Sequence, residues 1–390
     1  MATFRDTTEH FRPEARRLPK YNSGESIGVV QARYGVSQVT KLGSNENRFG
    51  PNPNVIAAIR AAADFMSVYP DPNCVELCDH IAGIAGVPSD RVIFGNGSEA
   101  LIEAFCHAAL SPGDRVVTVA PSFGLHEIFP LAMGATVEKI PMLASFEFDI
   151  VKLRDAVRAP TKLLIFSNPS NPVGCIMNDT DFASLIAACA SDTLLVIDEA
   201  YIEYIDSPAY PNSLKILSSQ QRPWIVLRTL SKAYGLGGLR IGYGIASDAE
   251  IVSLLKRVRS PFSVNSIAQA AAAVALKDRE YLSAVVSETR RRRTALYERL
   301  IYFTDHVTPH VKVVASQANF VFIDSGVSST MITERLMAKG IIAKPWMEGG
   351  FETAMRVTVG TDDDNERFIE AFRQVMADSA IAHAAARVPA

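Results

Sequence analysis

Lys232, in Ser231-Lys232-Ala233-Tyr234-Gly235, directly follows an apolar run from Trp224 to Leu227 and precedes Arg240 in Gly237-Gly238-Leu239-Arg240. A lysine delivered by the end of a buried strand into a glycine-rich loop is poorly solvated. A desolvated ammonium gives up its proton more readily and becomes an amine nucleophile, as Schiff-base chemistry requires. Upstream, Asn168-Pro169-Ser170-Asn171-Pro172-Val173-Gly174 is followed by Leu194-Leu195-Val196-Ile197-Asp198-Glu199-Ala200-Tyr201, an apolar strand ending in a carboxylate. An amide, a carboxylate, a phenol, a lysine and an arginine thus each fall at or just past the carboxyl end of a predicted strand. In open α/β sheets that rim is where ligands bind.

These residue types meet the needs of pyridoxal 5'-phosphate. That cofactor withdraws electrons only while its ring nitrogen is protonated, so a fixed carboxylate must pair with it, and Asp198 is the candidate. Lys232 is the covalent anchor. Asn171 and Tyr201 suit the anionic phenolic oxygen as hydrogen-bond donors, and the planar fork of Arg240 suits the phosphate. Gly95-Asn96-Gly97-Ser98-Glu99 lies between a short strand, Arg91 to Phe94, and a helical pattern from about Ala100 to Leu110. Free N–H groups at a helix start attract an anion, and the amides of Gly97 and Ser98 are assigned to the phosphate. The dinucleotide fingerprint is not completed, because position 100 is alanine, which disfavours a nicotinamide dehydrogenase.

Together, the Asn-Pro-x-Asn-Pro-x-Gly, Asp-Glu-Ala-Tyr and Ser-Lys-x-x-Gly-x-x-Gly-x-Arg elements resemble the fold type I pyridoxal phosphate enzymes, and within them the histidinol-phosphate aminotransferases. The resemblance runs from Leu18-Pro19-Lys20-Tyr21 through Lys41-Leu42-Gly43-Ser44-Asn45-Glu46-Asn47 and Tyr69-Pro70-Asp71-Pro72 to Met355-Arg356-Val357-Thr358-Val359-Gly360. It implies that Lys232 holds the cofactor, that Asp198 pairs with its ring nitrogen and that Asn171 and Tyr201 bond its phenolic oxygen. Phe123, in Pro121-Ser122-Phe123-Gly124, would stack on the ring, and Ser231 and Arg240 would join Gly97 and Ser98 on the phosphate. A tyrosine like Tyr69 would reach the phosphate in the neighbouring subunit, which implies a homodimer with shared active sites. Arg356 would bind the α-carboxylate, with Tyr21, Asn45 and Lys344 beside it in the substrate pocket. The implied reaction is a ping-pong transfer of the amino group of L-histidinol phosphate to 2-oxoglutarate, in histidine biosynthesis.

The chain departs from the family pattern at Arg48, where a proline is usual, and at Asn22-Ser23-Gly24, which replaces the commoner Val-Pro-Gly. Lys344 stands where an arginine would help hold a substrate phosphate; it keeps the charge and loses the bidentate fork. An aromatic amino-acid aminotransferase on the same scaffold is therefore the alternative. A decarboxylase acting on phosphothreonine ranks behind it, and a pyridoxal phosphate-binding regulator would need a DNA-binding extension for which no room exists before Asn45. Each residue also has a plainer reading. Asp198 can cap the next segment, Tyr201 and Phe123 can be core aromatics, Asn171 a turn former and Arg356 a structural ion-pair partner. Their joint occurrence in this order outweighs those readings for Lys232, Asp198, Asn171 and Arg240.

The 390 residues, 48% apolar, exceed what one core accommodates and call for two units. A net charge of −3 and a pI near 6.2 leave no electrostatic footprint for nucleic acid. The basic run Arg290-Arg291-Arg292-Arg293 falls in a helical pattern from about Asp278 to Tyr302 and reads as a solvated or salt-bridged face. Five scattered cysteines read as free thiols, and seven histidines form no metal site; His306 and His310 flank Pro309, which argues for a loop. Asp362-Asp363-Asp364 reads as helix capping without a metal. Neither a signal-peptide layout nor an apolar membrane span is expected, and the expected location is cytoplasmic.

The elements that must position these residues follow from periodicity. Residues 1–44 read as an arm that docks on the smaller domain or on a partner subunit. In 45–262, buried strands at Arg115 to Val119, Thr136 to Ile140, Lys162 to Phe166, Thr193 to Ile197, Trp224 to Leu227 and Ile241 to Ile245 alternate with helices. That predicts an α/β domain with a mostly parallel sheet flanked by helices. Residues 263–390 read as a smaller α+β domain: two long helices, strands at Lys312 to Val314, Phe320 to Ile323 and Met355 to Val359, and helices at Thr330 to Ala338 and Asn365 to Met376. The Ala-rich tail from Ala380 is expected to fray.

Overall fold

Strands that must be covered by helices on both faces are apolar at every position, and here that pattern holds through the centre of the chain. The structure, a computed structural model, describes residues 7–307 and 311–385, so Pro309 and His310 lie outside the described residues. The arm carries α1 (Pro13–Arg17), α2 (Ile27–Tyr34) and β1 (Thr40–Lys41). Then come α3 (Pro53–Ala62), α4 (Val75–Ala85), β2 (Val92–Gly95), α5 (Ser98–Ala109), β3 (Arg115–Ala120), α6 (Leu125–Ala132), β4 (Thr136–Pro141) and α7 (Ile150–Arg158). They are followed by β5 (Leu163–Ser167), α8 (Asp179–Ala188), β6 (Leu194–Asp198), α9 (Ser213–Ser218), β7 (Trp224–Thr229), β8 (Gly242–Ala246) and α10 (Ala249–Val258).

These strands form one sheet in the order β2-β8-β7-β6-β5-β3-β4, with β8 antiparallel to both neighbours and β3 to β7 mutually parallel. Alternation along each strand splits the side chains between two cores. Val117, Leu164, Phe166, Leu195, Ile197, Trp224 and Val226 point to one, and Val116, Leu163, Ile165, Val196, Ile225 and Leu227 to the other. Each such Leu, Ile or Val contributes roughly 1.5–3 kcal/mol by leaving water. The expected buried strand at Thr136 to Ile140 differs: β4 is the sheet edge and only Ile140 in that stretch is buried.

The remainder comprises α11 (Ser266–Ala275), α12 (Arg279–Val307), β9 (Lys312–Val314), β10 (Phe320–Asp324), α13 (Ser329–Ala338), β11 (Ile341–Ile342), β12 (Lys344–Pro345), β13 (Ala354–Thr358) and α14 (Asp362–Ala385). An antiparallel sheet, β12-β13-β10-β9, packs with α12, α13 and α14 around Leu300, Val321, Ile323, Val357, Phe368 and Phe372. Residues 266–276 pack on the large sheet: Ala268, Ala271, Ala272 and Leu276 sit in its first core. The packing thus changes one helix later than residue 262. The arm's β1 pairs in parallel with β11, which stitches residues 40 and 41 to the smaller unit. The alanine-rich tail is helical as far as Ala385.

The arginine run divides. Arg291 and Arg292 pair with Glu288 and Asp362 on the surface, as a salt-bridged face should. Arg293 is buried and donates to the carbonyls of Tyr204 and Ala318, while Arg290 donates to those of Glu203, Tyr204 and Ile205. These two fasten α12 to the loop after β6, where the carbonyls of residues 203–205 have no sheet partner. Asp364 accepts from the N–H of Thr361 while Thr361 Oγ1 accepts from the N–H of Asp364, a reciprocal cap on α14.

Candidate active site

Parallel strands bring their carboxyl ends to one edge, and four loops leave the sheet there. β6 ends at Asp198, β5 runs into residues 168–174, β7 into the Lys232 turn and β3 into Pro121-Ser122-Phe123-Gly124. The antiparallel sheet of the smaller unit faces this edge, and a cavity of about 570 Å³ lies between them. Lining it are Ser98, Phe123, Asn171, Asp198, Tyr201, Ser231, Lys232, Arg240, Lys344, Arg356, Tyr21 and Asn45. Residues read separately in the sequence thus share one space. Gly97 and Tyr69 do not line it.

Lys232 Nζ lies 3.5 Å from the carbonyl of Ser44 and 5.8 Å from the centre of the Tyr201 ring. Burial, with the cations Arg356 and Arg240 nearby, lowers its pKa from 10.5 to about 8. The loop around it is fixed from the segment that follows the arm: Asn47 donates to the carbonyl of Ala233 at 2.8 Å. Gly235 has φ +70°, and a Cβ there would stand 2.7 Å from the backbone of Gly50. Asp198 is buried; its Oδ1 accepts from the N–H of Ala200 at 3.0 Å, and its Oδ2 lies 3.3 Å from His126 Nε2. The other ring nitrogen of His126 lies 3.2 Å from Ser122 Oγ. Composition gave no hint of this histidine's role. The available signal was its i+4 spacing from Ser122 at the start of a helix beside the rim.

Tyr201 is buried edge-on against Phe320 at 5.1 Å and accepts from Asn45 Nδ2 at 2.8 Å. Burial pushes its phenol up to about 12. Glu199, the neighbour of Asp198, points the other way. It receives Arg228 at 2.8 Å, Tyr210 at 3.0 Å and the Ser213 hydroxyl, forming a closed buried network under the rim.

Gly97 caps α5 with φ 81° and ψ 163°, close to Arg240. A Cβ at Gly97 would lie 2.6 Å from Arg240 Nη2, so only glycine leaves room for the guanidinium. Arg240 also donates to Ser231 Oγ at 3.4 Å and to Glu99 at 2.8 Å. Helix N–H groups, a hydroxyl and an arginine at one point make a cradle for a phosphate-sized anion.

The roof comes from the smaller sheet. Along β13, Met355 and Val357 enter that unit's core, which turns Arg356 and Thr358 to the cavity side. Arg356 donates to Asn171 Oδ1 at 2.6 Å and to the carbonyl of Gly43 at 2.8 Å; its buried Nε has no partner. Lys344 is its cross-strand neighbour, and burial together with the Arg356 charge lowers the lysine to about 8. Like charges placed opposite each other in a sheet are destabilising. The sequence departures meet here. Lys344 Nζ donates to the carbonyl of Asn22, and Gly24, at φ +79°, turns the arm past it. Arg48 pairs with the buried Asp364 at 2.9 Å.

Tyr69 is 79% exposed and stacks on Phe262 with ring centres 4.6 Å apart. Other cavity-lining residues had no place in the sequence reading: Glu127, Ile128, Lys139, Trp346 and Glu348. Glu127, Ile128 and Lys139 belong to the ordinary elements α6 and β4, Trp346 and Glu348 to the loop after β12, and no local spacing marks them.

Residues 37–372 match the model of the family "Aminotransferase class I and II". The chain is 42% identical to histidinol-phosphate aminotransferase 1 of Mesorhizobium japonicum, over 94% of this chain and 98% of that one. It is 35% identical to the histidinol-phosphate aminotransferase of Geobacillus thermodenitrificans, with the same coverage of both. Its fold superposes, with a TM-score of 0.85 and 27% identity, on the crystal structure of histidinol-phosphate aminotransferase from Sinorhizobium meliloti in complex with pyridoxal-5'-phosphate, covering 95% of this chain and 98% of that one. With a catalytic-type lysine, a buried carboxylate and an anion cradle in one cavity, and family-wide similarity over nearly its full length, the chain belongs to the class I and II aminotransferases, among the histidinol-phosphate aminotransferases.

Proposed function

We propose that this aminotransferase uses pyridoxal 5'-phosphate to move the amino group of L-histidinol phosphate to 2-oxoglutarate, giving imidazole-acetol phosphate and L-glutamate. The observation that carries this is the cavity's three-part floor and roof: Lys232 beside Asp198, the Gly97–Arg240 cradle, and Arg356 with Lys344 above them.

The residues fit the cofactor on their own chemistry. A Cβ at Gly97 would fill the cradle, and the Arg356 Nε lies buried without a partner. Lys232 would hold the cofactor covalently, Asp198 its ring nitrogen, Asn171 and Tyr201 its phenolic oxygen, and Ser98, Ser231, Arg240 and the helix start at Gly97 its phosphate. Phe123 would cover the ring. When bound, the cofactor supplies an electron sink that lets the substrate's Cα–H bond ionise.

The chain's own groups do the rest. With a pKa of about 8, Lys232 Nζ is near the balance point at which one group both takes the Cα proton and gives it back. The Asp198 carboxyl group is oriented by the Ala200 N–H and by His126. Two buried cations, Arg356 and Lys344, oppose each other in the sheet, an arrangement that an anionic substrate group relieves. The phosphate of the donor and the α-carboxylate of the acceptor would take that place in turn, beside Tyr21 and Asn45.

We further read the enzyme as a cytoplasmic homodimer. Tyr69 is exposed and outside its own cavity, beside other exposed apolar residues at 65, 66 and 68, which supports its contributing to a partner's site. The five cysteines are unpaired, as in a reducing compartment.

The test is glutamate formation from 2-oxoglutarate with L-histidinol phosphate or L-phenylalanine as donor. A kcat/KM for histidinol phosphate at least ~100-fold above that for phenylalanine is expected from a charge-assisted site. The reverse order would make this an aromatic amino-acid aminotransferase, the reading that the Tyr21, Phe123 and Trp346 walls favour.

A further inference from the structure

The cavity has a second charged centre away from Arg356. Glu127 on α6 and Glu348 in the loop after β12 flank Lys139 on β4, with Lys139 Nζ 3.1 Å from Glu127 Oε2 and 3.2 Å from Glu348 Oε1. Glu348 Oε2 is anchored by the N–H of Ser122 at 3.0 Å and by Trp346 Nε1 at 3.1 Å. Its Oε1 is buried without a hydrogen bond: the ammonium is within ion-pair distance of it but out of line. Trp346 joins the two centres, since its ring also lies 6.0 Å from the Arg356 guanidinium. Arg356 and the glutamate–lysine–glutamate group therefore line one substrate space, with Trp346 between them.

We infer that Glu127, Lys139 and Glu348 form a dual-sign distal subsite, in which the carboxylates receive the N–H groups of the donor's imidazole and Lys139 receives the far carboxylate of the acceptor. This rests on the donor and acceptor proposed above. Both present an anion to Arg356 and differ at the other end, one carrying a ring that donates hydrogen bonds and accepts a proton, the other a carboxylate. A subsite of a single charge would favour one and repel the other. A lysine shared between two carboxylates serves both by changing partners: an imidazole N–H takes a glutamate from the lysine, and a carboxylate takes the lysine from the glutamates. No bond is made or broken in either case.

The test compares Lys139→Met and Glu127→Gln, whose parent side chains are each about one-third exposed or less, in the cofactor-loaded enzyme. The readout is the ratio of kcat/KM for L-histidinol phosphate to kcat/KM for 2-oxoglutarate. Lost charge-assisted contacts predict a rise of ~10-fold or more in Lys139→Met and a fall of similar size in Glu127→Gln. Calorimetric titration with glutarate, which does not react, should show ~10-fold weaker binding in Lys139→Met and no weakening in Glu127→Gln. Equal losses for both substrates in both variants would make the cluster a structural latch, and unchanged ratios would remove it from recognition; either overturns the inference. Should the wild-type enzyme make no glutamate from histidinol phosphate, the proposed reaction fails, while the glutarate titration still decides the role of Lys139.

Discussion

The neutral amine of Lys232 is the reactive form, so the cavity's main electrostatic task can be measured on that one nitrogen without any cofactor. Burial and the Arg356 and Arg240 charges lower its pKa from 10.5 to about 8. The difference, 10.5 − 8 = 2.5, means that well below pH 8 the neutral fraction is ~300 times that of an ordinary lysine. Competitive acetylation of the cofactor-free protein with a trace reagent, read peptide by peptide across pH, gives the titration of each lysine. Lys232 should titrate with a midpoint near 8. Replacing Arg356 by glutamine removes the stronger of the two neighbouring cations and should move the Lys232 midpoint upward. A midpoint near 10.5 in the wild type, or one that stays put in Arg356→Gln, would refute the electrostatic reasoning.

Other outcomes follow from the same contacts. The ammonium of Lys232 is disfavoured by the fold, so its lowered pKa is a penalty that is full below about pH 8 and vanishes as pH rises through 10.5. Lys232→Met should therefore raise the cofactor-free protein's stability at pH 7 by up to ~3 kcal/mol, less where water in the cavity screens the charge, with the gain shrinking toward pH 10 in thermal melts. Gly97→Ala forces a side chain into a glycine-only backbone region and against Arg240, at ~1–3 kcal/mol of strain; cofactor affinity measured by absorbance titration should fall at least ~10-fold. His126→Leu removes one of the two partners of Asp198, and kcat should drop ~10- to 100-fold with a displaced pH profile that His126→Asn partly restores. Glu199→Ala leaves Arg228 without its counter-charge beneath the sheet and should cost ~3–5 kcal/mol in denaturant unfolding.

Short-range order carried much of this protein into its sequence. The alternation of strands and helices, the glycines at 97 and 235, the carboxylate that ends an apolar strand and the lysine in its loop are local, so periodicity and turn chemistry reveal them. Parallel strands then send their carboxyl ends to one edge wherever a chain alternates in this way, and so Asp198, Asn171 and Lys232 could be placed together before any contact was known. What a strand or helix faces across the molecule is a different matter. His126 meets Asp198 across 72 residues of chain, and Arg356 meets Asn171 across 185. Glu348 reaches Ser122 across 226, and α11 joins the large sheet although the periodicity there reads equally well as the start of a new unit. Those pairings arise from packing two cores against each other, and nothing within a window of residues encodes them. The sequence by itself determined which chemical groups stand at the rim, because strand ends are local features; only the tertiary structure decided which partners tune them, because a side chain's pKa and orientation are set by what packing brings within a few ångströms.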